Sequence, residues 1–205
     1  APQAPSAPVA TERTWLAPSL RWQRTALGLA TLLAGMGAQA TSTPPIHVSG
    51  GSSQTVSATV VHDGGTIEAN GRLDISSAGE VDNTGVLINS GTLDNSGTLN
   101  NFISATLSNT GALTNSDTLN NSGTLTNNSG GTLTNSGMLN NHAGAMTNYG
   151  TLNNNLGGTL NNYGTLNNNL GGTLTNYPGA ELTNSGTLNN SGTLPNLGTL
   201  TYSGM

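Results

Sequence analysis

The stretch from residue 91 to residue 101 reads GTLDNSGTLNN and contains a five-residue unit, Gly-x-Leu-x-Asn, twice. The same unit recurs between Gly85 and Tyr202. Successive units are separated by six or eight residues, with a single step of seven from Leu139 to Met146. A repeat that keeps its register decides the architecture before any local propensity does. The stretch therefore predicts a stacked repeat protein.

Two positions of the unit keep the same residue almost throughout, and both are predicted to point into the interior. The apolar position forms a predicted leucine ladder of Leu87, Leu93, Leu99, Leu107, Leu113, Leu119, Leu125, Leu133, Leu139, Leu152, Leu160, Leu166, Leu174, Leu182, Leu188 and Leu194. The position two residues later forms a predicted asparagine ladder of Asn89, Asn95, Asn101, Asn109, Asn115, Asn121, Asn127, Asn135, Asn141, Asn148, Asn154, Asn162, Asn168, Asn176, Asn184, Asn190 and Asn196. Met146 interrupts the leucines, and the final unit has Tyr202 in place of asparagine.

The order of residues within a unit predicts a short strand followed by a corner. Side chains alternate between the two sides of a strand, so Leu93 and Asn95 face inward while Thr92 and Asp94 face outward. A glycine stands two residues before the leucine in most units, and we attribute it to a sharp corner that has no room for a side chain and needs a positive φ. The exceptions to this glycine are Ala105, Asp117 and Ala180.

Three consecutive units span about 20 residues, which predicts a closed triangular coil of three short strands. Coils stack at the strand spacing of about 4.8 Å, so the coils after Gly65, about seven in number, predict a rod roughly 35 Å long. The predicted fold class is all-β, a single-stranded parallel β-helix. Two alternatives stay open: a two-sided coil with the 14-residue spacing of Leu152 and Leu166, and a disordered Asn/Ser/Gly-rich tract.

The first 40 residues differ from the repeats and predict a secretory signal peptide with an extended positively charged leader. Three arginines precede the apolar run ALGLATLLAGMG at residues 26–37. The run is followed by Ala38 and Ala40 in the small-x-small pattern at which a signal helix is cleaved. The run is too short to cross a bilayer, and a buried amphipathic helix is the alternative interpretation.

The rest of the chain is divided into two segments. Residues 41–64 are β-prone but irregular and predict an N-terminal β cap, because a solenoid needs its open end covered. Residues 65–205 form the predicted Gly-x-Leu-x-Asn solenoid, in which the asparagine becomes regular only from Asn83.

Charged and reactive side chains are scarce. Charged residues make up 6% of the chain, and cysteine is absent. Without residues 1–40 the chain keeps eight acids and one arginine, a formal charge of −7. This balance excludes nucleic-acid binding and disfavours anionic membranes. Because no nucleophile–base pair, carboxylate pair or metal-ligand spacing occurs, the sequence predicts no enzyme, no catalytic residue, no cofactor and no metal site.

A signal peptide followed by Gly-Thr-Leu-x-Asn repeats resembles the passenger region of Gram-negative autotransporter adhesins and related haemagglutinin-like proteins, over residues 65–205. The resemblance implies a right-handed β-helix that is exported through the inner membrane and secreted or held at the bacterial cell surface. Its expected partners are a host-cell or matrix ligand or another copy of itself, with no membrane span in the mature region. A translocator barrel is expected in a longer parent protein, because the chain departs from the family pattern by ending at Met205 within a repeat.

Two outward-facing patterns are candidate contact surfaces. Tyr149, Tyr163 and Tyr177 occur fourteen residues apart and suggest either a contact strip along one edge or corner packing. Thr-Leu-Thr occurs at residues 124–126, 132–134, 173–175 and 199–201. Paired outward threonines are typical of ice-binding β-helices, which thermal hysteresis would distinguish from an adhesin. His142 is interpreted as an exposed corner residue.

Overall fold

The computed structural model describes residues 45–203, which contain 21 β-strands and no helix. The predicted signal peptide, with its cleavage site at Ala38 and Ala40, lies outside the described residues. The strands stack in parallel as a β-solenoid of about eight turns with about 20 residues per turn. The predicted all-β solenoid with three short strands per coil is thereby confirmed.

The strands lie on three faces, which the chain visits in rotation. Face 1 contains β1 (Ile46–Val48), the second halves of β3 (Thr59–Ile67) and β5 (Glu80–Asn89), β8 (Thr106–Asn109), β11 (Thr124–Asn127), β14 (Ala145–Asn148), β17 (Thr165–Asn168) and β20 (Thr187–Asn190). Face 2 contains β2 (Ser53–Val56), β4 (Arg72–Ile75), β6 (Thr92–Asn95), β9 (Ala112–Asn115), β12 (Thr132–Asn135), β15 (Thr151–Asn154) and β18 (Thr173–Asn176). Face 3 contains the first halves of β3 and β5, β7 (Thr98–Asn101), β10 (Thr118–Asn121), β13 (Met138–Asn141), β16 (Thr159–Asn162), β19 (Glu181–Asn184) and β21 (Thr199–Tyr202).

The strand pairing decides between the two coil geometries that the sequence left open. Leu152 lies between Leu133 in the turn below and Leu174 in the turn above. A two-sided coil would instead place it beside Leu166, which belongs to face 1 and pairs with Met146. The two-sided coil is therefore wrong, and the 14-residue spacing corresponds to two of the three sides of one turn.

The segment 45–64 already belongs to the stack. Ile46 pairs with Gly65 on face 1, and Ser53 pairs with Arg72 on face 2. The long strands β3 and β5 contribute to face 3 and then to face 1, so they join these two faces into one sheet. The segment interpreted as a cap thus contributes rungs that continue directly into the repeats.

At the other end of the described residues, face 2 is completed without a regular strand. Thr193 bridges to Thr173 and Asn196 bridges to Asn176. Pro195 lies between the two bridges and has no N–H to donate to the turn below. The last rung of face 2 therefore consists of two isolated bridges.

The corners are of two kinds, matching the two step lengths of the repeat. At a short corner, the N–H groups of Ser122 and Gly123 both donate to the carbonyl of Asn101 in the turn below, at 2.8 and 3.2 Å. At a long corner, the Gly131 N–H donates to the Asn128 carbonyl at 2.9 Å, and the third residue of the turn has a positive φ of 85°. This is the geometry of a type II β-turn. The two extra residues stay outside the stack and leave it undisturbed.

The glycine that precedes most of the leucines is explained by close approach of the backbone. A Cβ on Gly97 would lie 2.2 Å from the Gly79 carbonyl oxygen and 2.3 Å from that of Ser76. Gly97 is not among the described residues with positive φ, whereas Gly130 in a long corner has a φ of 85°. The expectation that the pre-leucine glycine needs a positive φ is therefore wrong, and the lack of room for a side chain is its physical cause.

Replacing Gly97 with alanine is expected to destabilise the fold by about 2–3 kcal/mol, because the added methyl group meets backbone atoms that cannot rotate away. Gly130→Ala is the matched control, because a Cβ at Gly130 meets no atom within 4 Å. Gly130→Ala is destabilised only because alanine must adopt a left-handed backbone conformation, which costs about 1 kcal/mol. Urea unfolding of both variants measures the difference. Equal decreases in the free energy of unfolding of the two variants would contradict the close approach of the Gly97 backbone to the turn below.

Candidate functional site: interior ladders and outer faces

The predicted leucine ladder lies in the interior. Its members from Leu87 to Leu182 are buried, and Met146 fills the same column with no exposed surface. Leu188 and Leu194 belong to the last turn and are only partly buried against the core. In the first turns, Ile75 occupies the position that asparagine takes later, and it is buried as well. The interior of the first turns is therefore mostly apolar, with the buried His62 at the position that Asn83 takes in the next turn, and it becomes a mixed leucine–asparagine interior afterwards.

Below the last turn, the inward asparagines use both the Nδ2 and the Oδ1 of their amides. Asn101 donates from Nδ2 to the Oδ1 of Asn121 at 2.7 Å and to the Thr124 carbonyl at 2.9 Å. Its own Oδ1 accepts from the Nδ2 of Asn83 in the turn below at 2.8 Å. The carbonyl of Thr124 belongs to the next face, so each amide ties a corner to the turn above it.

This bonding repeats as one column at each of the three edges of the solenoid. The edge 3–1 column consists of Asn83, Asn101, Asn121, Asn141, Asn162 and Asn184. The edge 1–2 column consists of Asn89, Asn109, Asn127, Asn148, Asn168 and Asn190. The edge 2–3 column consists of Asn95, Asn115, Asn135, Asn154, Asn176 and Asn196. All members are buried except Asn190 and Asn196 in the last turn.

The chemistry of the amide explains why asparagine recurs at this position. Asparagine supplies two donors and an acceptor from one short side chain. Aspartate has no donor, and an apolar residue would leave the corner carbonyl of the turn above without its bond. Each satisfied bond contributes about 0.5–1.5 kcal/mol, and an unsatisfied buried partner costs about 1–3 kcal/mol. The ladder therefore stabilises the fold only when it is continuous.

A second, outward ladder on face 3 was not predicted. Asn120 donates to Asn100, Asn140 donates to Asn120, and Asn161 donates to Asn140, at 2.9–3.0 Å. At its lower end, Asn100 donates to the carboxylates of Glu80 and Asp82 at 3.0 and 2.8 Å. Each donor here points to the turn below, opposite to the inner columns. The sequence signal is an Asn-Asn doublet that recurs at every third unit.

Charged groups concentrate in the first turns. On the outer side of face 2, the Arg72 guanidinium contacts Asp74 and Asp94, both at 2.8 Å. The hydrogen bond that the Arg72 guanidinium donates to Asp74, with the charge of Asp94 adding to it, raises the pKa of Arg72. Arg72 bridges the two carboxylates at the surface, where such ion pairs contribute little to stability.

The structure distributes the two outward patterns over different faces. Tyr149 follows face 1, Tyr163 follows face 3 and Tyr177 follows face 2. The hypothesis of a tyrosine strip along one edge is therefore wrong. The Thr-Leu-Thr segments likewise lie one on face 1, two on face 2 and one on face 3.

His142 lies on edge 3–1 and is exposed, one turn below Tyr163. The two rings stack with centroids 6.0 Å apart and planes inclined by 8°. Across residues 45–203, no group of three or more histidine, aspartate or glutamate side chains is placed to hold a metal ion. In the same range, no helix is long and apolar enough to cross a membrane.

Comparison with known proteins adds no relative: no family model, no curated protein and no solved structure matches the chain. The structure by itself defines the class, a β-solenoid repeat protein with leucine and asparagine columns inside and threonine, serine and asparagine outside.

Proposed function

We propose that this chain is a structural and adhesive segment of an exported, non-enzymatic surface protein. The observation that carries the proposal is the unbroken asparagine columns at all three edges, which couple each turn to the next through buried hydrogen bonds. A rod held together in this way keeps its shape in water without cysteine or metal. It suits the display of an extended surface outside the cell.

The outer faces support contact by many weak, repeated interactions. Between Asn95 and Glu181, the only charged side chain is Asp117. The outward positions are mostly threonine, serine and asparagine, which offer hydroxyl and amide groups at every rung. Repeated weak contacts along one rigid body give avidity that no single contact supplies. The proposed ligand is a host-cell or matrix surface.

Export is tested by producing the chain in a Gram-negative host and determining the mass of the exported form. The expected product begins at Thr41. Leu32→Arg places a charge in the apolar run and is expected to keep the protein in the cytoplasm. Leu20→Arg, which lies before the run, is the matched control and should be exported. Retention of uncleaved wild-type protein in the cytoplasm would refute export.

Adhesion is tested separately with beads that carry the purified protein, applied to cultured cells and to extracellular-matrix coatings. Binding is expected to depend on the folded solenoid and to disappear when the protein on the beads has been denatured by heat. Binding that is equal for folded and unfolded protein, or absent for both, would refute adhesion while leaving the export result unaffected.

A further inference from the structure

Asn70 and Gly71 form the only Asn-Gly pair in the chain, although asparagine recurs throughout the repeats. The side-chain amide of an asparagine can react with the backbone nitrogen of the residue that follows it. Glycine in that place has no side chain to obstruct the approach, so asparagine reacts most readily before glycine. The sequence alone therefore marks Asn70 as the asparagine most prone to a covalent change.

The structure leaves the side chain of Asn70 open to this reaction. Asn70 is exposed at the third position of the long corner 68–71 on edge 1–2, and its φ is +63°. Asparagine tolerates this left-handed conformation better than most residues. Within residues 45–203, no group forms a hydrogen bond with its side-chain amide. The amide is therefore free to rotate towards the Gly71 nitrogen, and water reaches it.

Two hydrogen bonds restrain the peptide group that joins Asn70 to Gly71. The Gly71 N–H donates to the Glu68 carbonyl at 2.8 Å, and the Asn70 carbonyl accepts from the Gly51 N–H at 2.9 Å. Both bonds belong to corner residues outside the stacked strands, where local opening costs much less free energy than opening of the core. The reaction therefore needs only the corner to open, while the strands on either side stay paired.

The asparagines of the inner columns are protected from the same reaction. Asn121 is fully buried, its Nδ2 donates to Asn141 and its Oδ1 accepts from Asn101. The residue after it is Ser122, whose N–H donates to the Asn101 carbonyl at 2.8 Å. A reaction at Asn121 would require neighbouring turns to separate. The fold therefore shields the asparagines that hold it together and leaves Asn70 reactive.

We propose that Asn70 is a site of spontaneous deamidation, with water as the co-reactant. The Gly71 nitrogen attacks Cγ of Asn70, so that an N–Cγ bond forms and the Cγ–Nδ2 bond breaks. The displaced nitrogen leaves as ammonia and takes the proton that the Gly71 nitrogen loses. Water then opens the resulting succinimide ring at either carbonyl, which gives aspartate or isoaspartate. This inference does not depend on export or adhesion.

The product alters the link between the first two turns on edge 1–2. The two corners are joined by the bond from Gly51 to Asn70 and by the Gly50 N–H, which donates to the Glu68 carboxylate at 3.0 Å. Isoaspartate adds a carbon to the main chain at this point, and either product adds a negative charge two residues from Glu68. The Gly51 N–H is therefore expected to exchange with solvent faster after deamidation.

The positions of the arginines allow the deamidated residue to be located by one digestion. Trypsin cleaves after arginine, and Arg24 and Arg72 bound the peptide 25–72, whose only asparagine is Asn70. Every other asparagine lies in the peptide 73–205. The purified, folded full chain is kept in mildly alkaline buffer and sampled over weeks. The mass of each peptide then reports deamidation as a gain of about 1 Da per site.

Peptide 25–72 is expected to deamidate at least about tenfold faster per asparagine than peptide 73–205, because a corner opens more easily than stacked strands. Asn70→Gly is expected to keep the fold, since glycine accepts the positive φ, and to abolish the mass change in peptide 25–72.

Ser104→Asn is the matched control for the role of glycine. Ser104 also has a positive φ of 70°, and the Ala105 N–H after it donates to the Phe102 carbonyl at 3.0 Å in the same kind of turn. The new asparagine precedes alanine instead of glycine. We therefore expect it to stay intact while Asn70 reacts.

An unchanged peptide 25–72, or an equal rate per asparagine in the two peptides, overturns the proposal. Deamidation of the Ser104→Asn variant at the rate of Asn70 overturns it as well, since the following glycine is then not the cause. Hydrogen exchange of deamidated and fresh protein measures the effect on Gly51. Equal exchange rates in the two samples overturn the altered link between the first two turns.

Discussion

Replacing Leu125 with asparagine is expected to lower the free energy of unfolding by about 3–5 kcal/mol, the range for removing a large apolar side chain from a core. Leu125 is fully buried and stacks between Leu107 and Met146. The change removes apolar contacts on both sides and places an amide where the neighbouring turns offer only apolar side chains. Because each turn is stabilised by the turns next to it, the loss in mid-stack affects the whole rod.

Thr124→Asn is the matched control for this experiment. Thr124 precedes Leu125 on the same strand and is exposed on the outer side of face 1. Asparagine at this exposed position lowers the free energy of unfolding only through its weaker strand propensity, by less than about 1 kcal/mol. Urea unfolding followed by circular dichroism measures both variants. Similar midpoint shifts for the two substitutions would contradict the burial of the leucine column as the main source of stability.

Replacing Asn121 with aspartate is expected to destabilise the protein by about 3–4 kcal/mol at neutral pH, since a buried hydrogen bond is lost and an unpaired charge is buried. Asn121 donates to the Oδ1 of Asn141 at 2.7 Å and to the Ala145 carbonyl at 3.2 Å. A carboxylate cannot donate, so its oxygen would face two acceptors. Burial and these acceptors hold the pKa of the new carboxyl above its usual range in the folded state.

The sign of the pH dependence follows from that raised pKa. Above the folded-state pKa the charged form penalises folding in full. As the pH falls through the folded pKa towards the unfolded one, the native state takes up a proton first and the penalty shrinks. The difference in free energy of unfolding between the variant and the wild type should therefore become smaller as the pH falls from about 7 to about 4, which is near the pKa of an unperturbed aspartate.

Asn120→Asp provides the control, because Asn120 lies on the same strand but belongs to the half-buried outer ladder. Water reaches this position and screens the new charge. The free energy of unfolding is therefore expected to decrease by about 1 kcal/mol, with little dependence on pH. Unfolding curves of both variants across the pH range give the comparison. If the decrease in the free energy of unfolding caused by Asn121→Asp does not become smaller in acid, the conclusion that the Asn121 amide is buried and fully hydrogen-bonded is refuted.

The sequence was sufficient to predict the coil because every unit carries the same alternation. Leu93 and Asn95 share one side of a strand, and the sum of three steps sets the turn length. Assigning corner residues to particular edges of the solenoid required a more accurate turn length than the sequence spacing provides. Tyr149 and Tyr163 look like members of one strip at a 14-residue spacing, yet in a turn of about 20 residues they fall on different edges.

Two other features could not be derived from the pattern alone. The pre-leucine glycine, such as Gly97, has its cause in the carbonyls of the turn below, and a sequence does not show how closely turns approach. The extent of β3 also escaped prediction, because the chain before Asn83 lacks the regular third-slot asparagine that marks strand ends elsewhere. The length of β5 escaped prediction too, because this strand continues through Asn83 to Asn89 instead of ending at the first of these asparagines.

The chemical likeness of the three edge columns has a consequence for how the chain finds its native alignment. If the later units slipped by one unit, leucine would still meet leucine and asparagine would still meet asparagine, so misaligned states lie close in energy to the native one. The early turns contain the charged partner pairs and the apolar column that the later units do not repeat, among them the Arg72 pairing with Asp94 and the column through Ile75. We therefore expect folding to be guided from this end, where a one-unit slip separates partners that nothing else in the chain replaces.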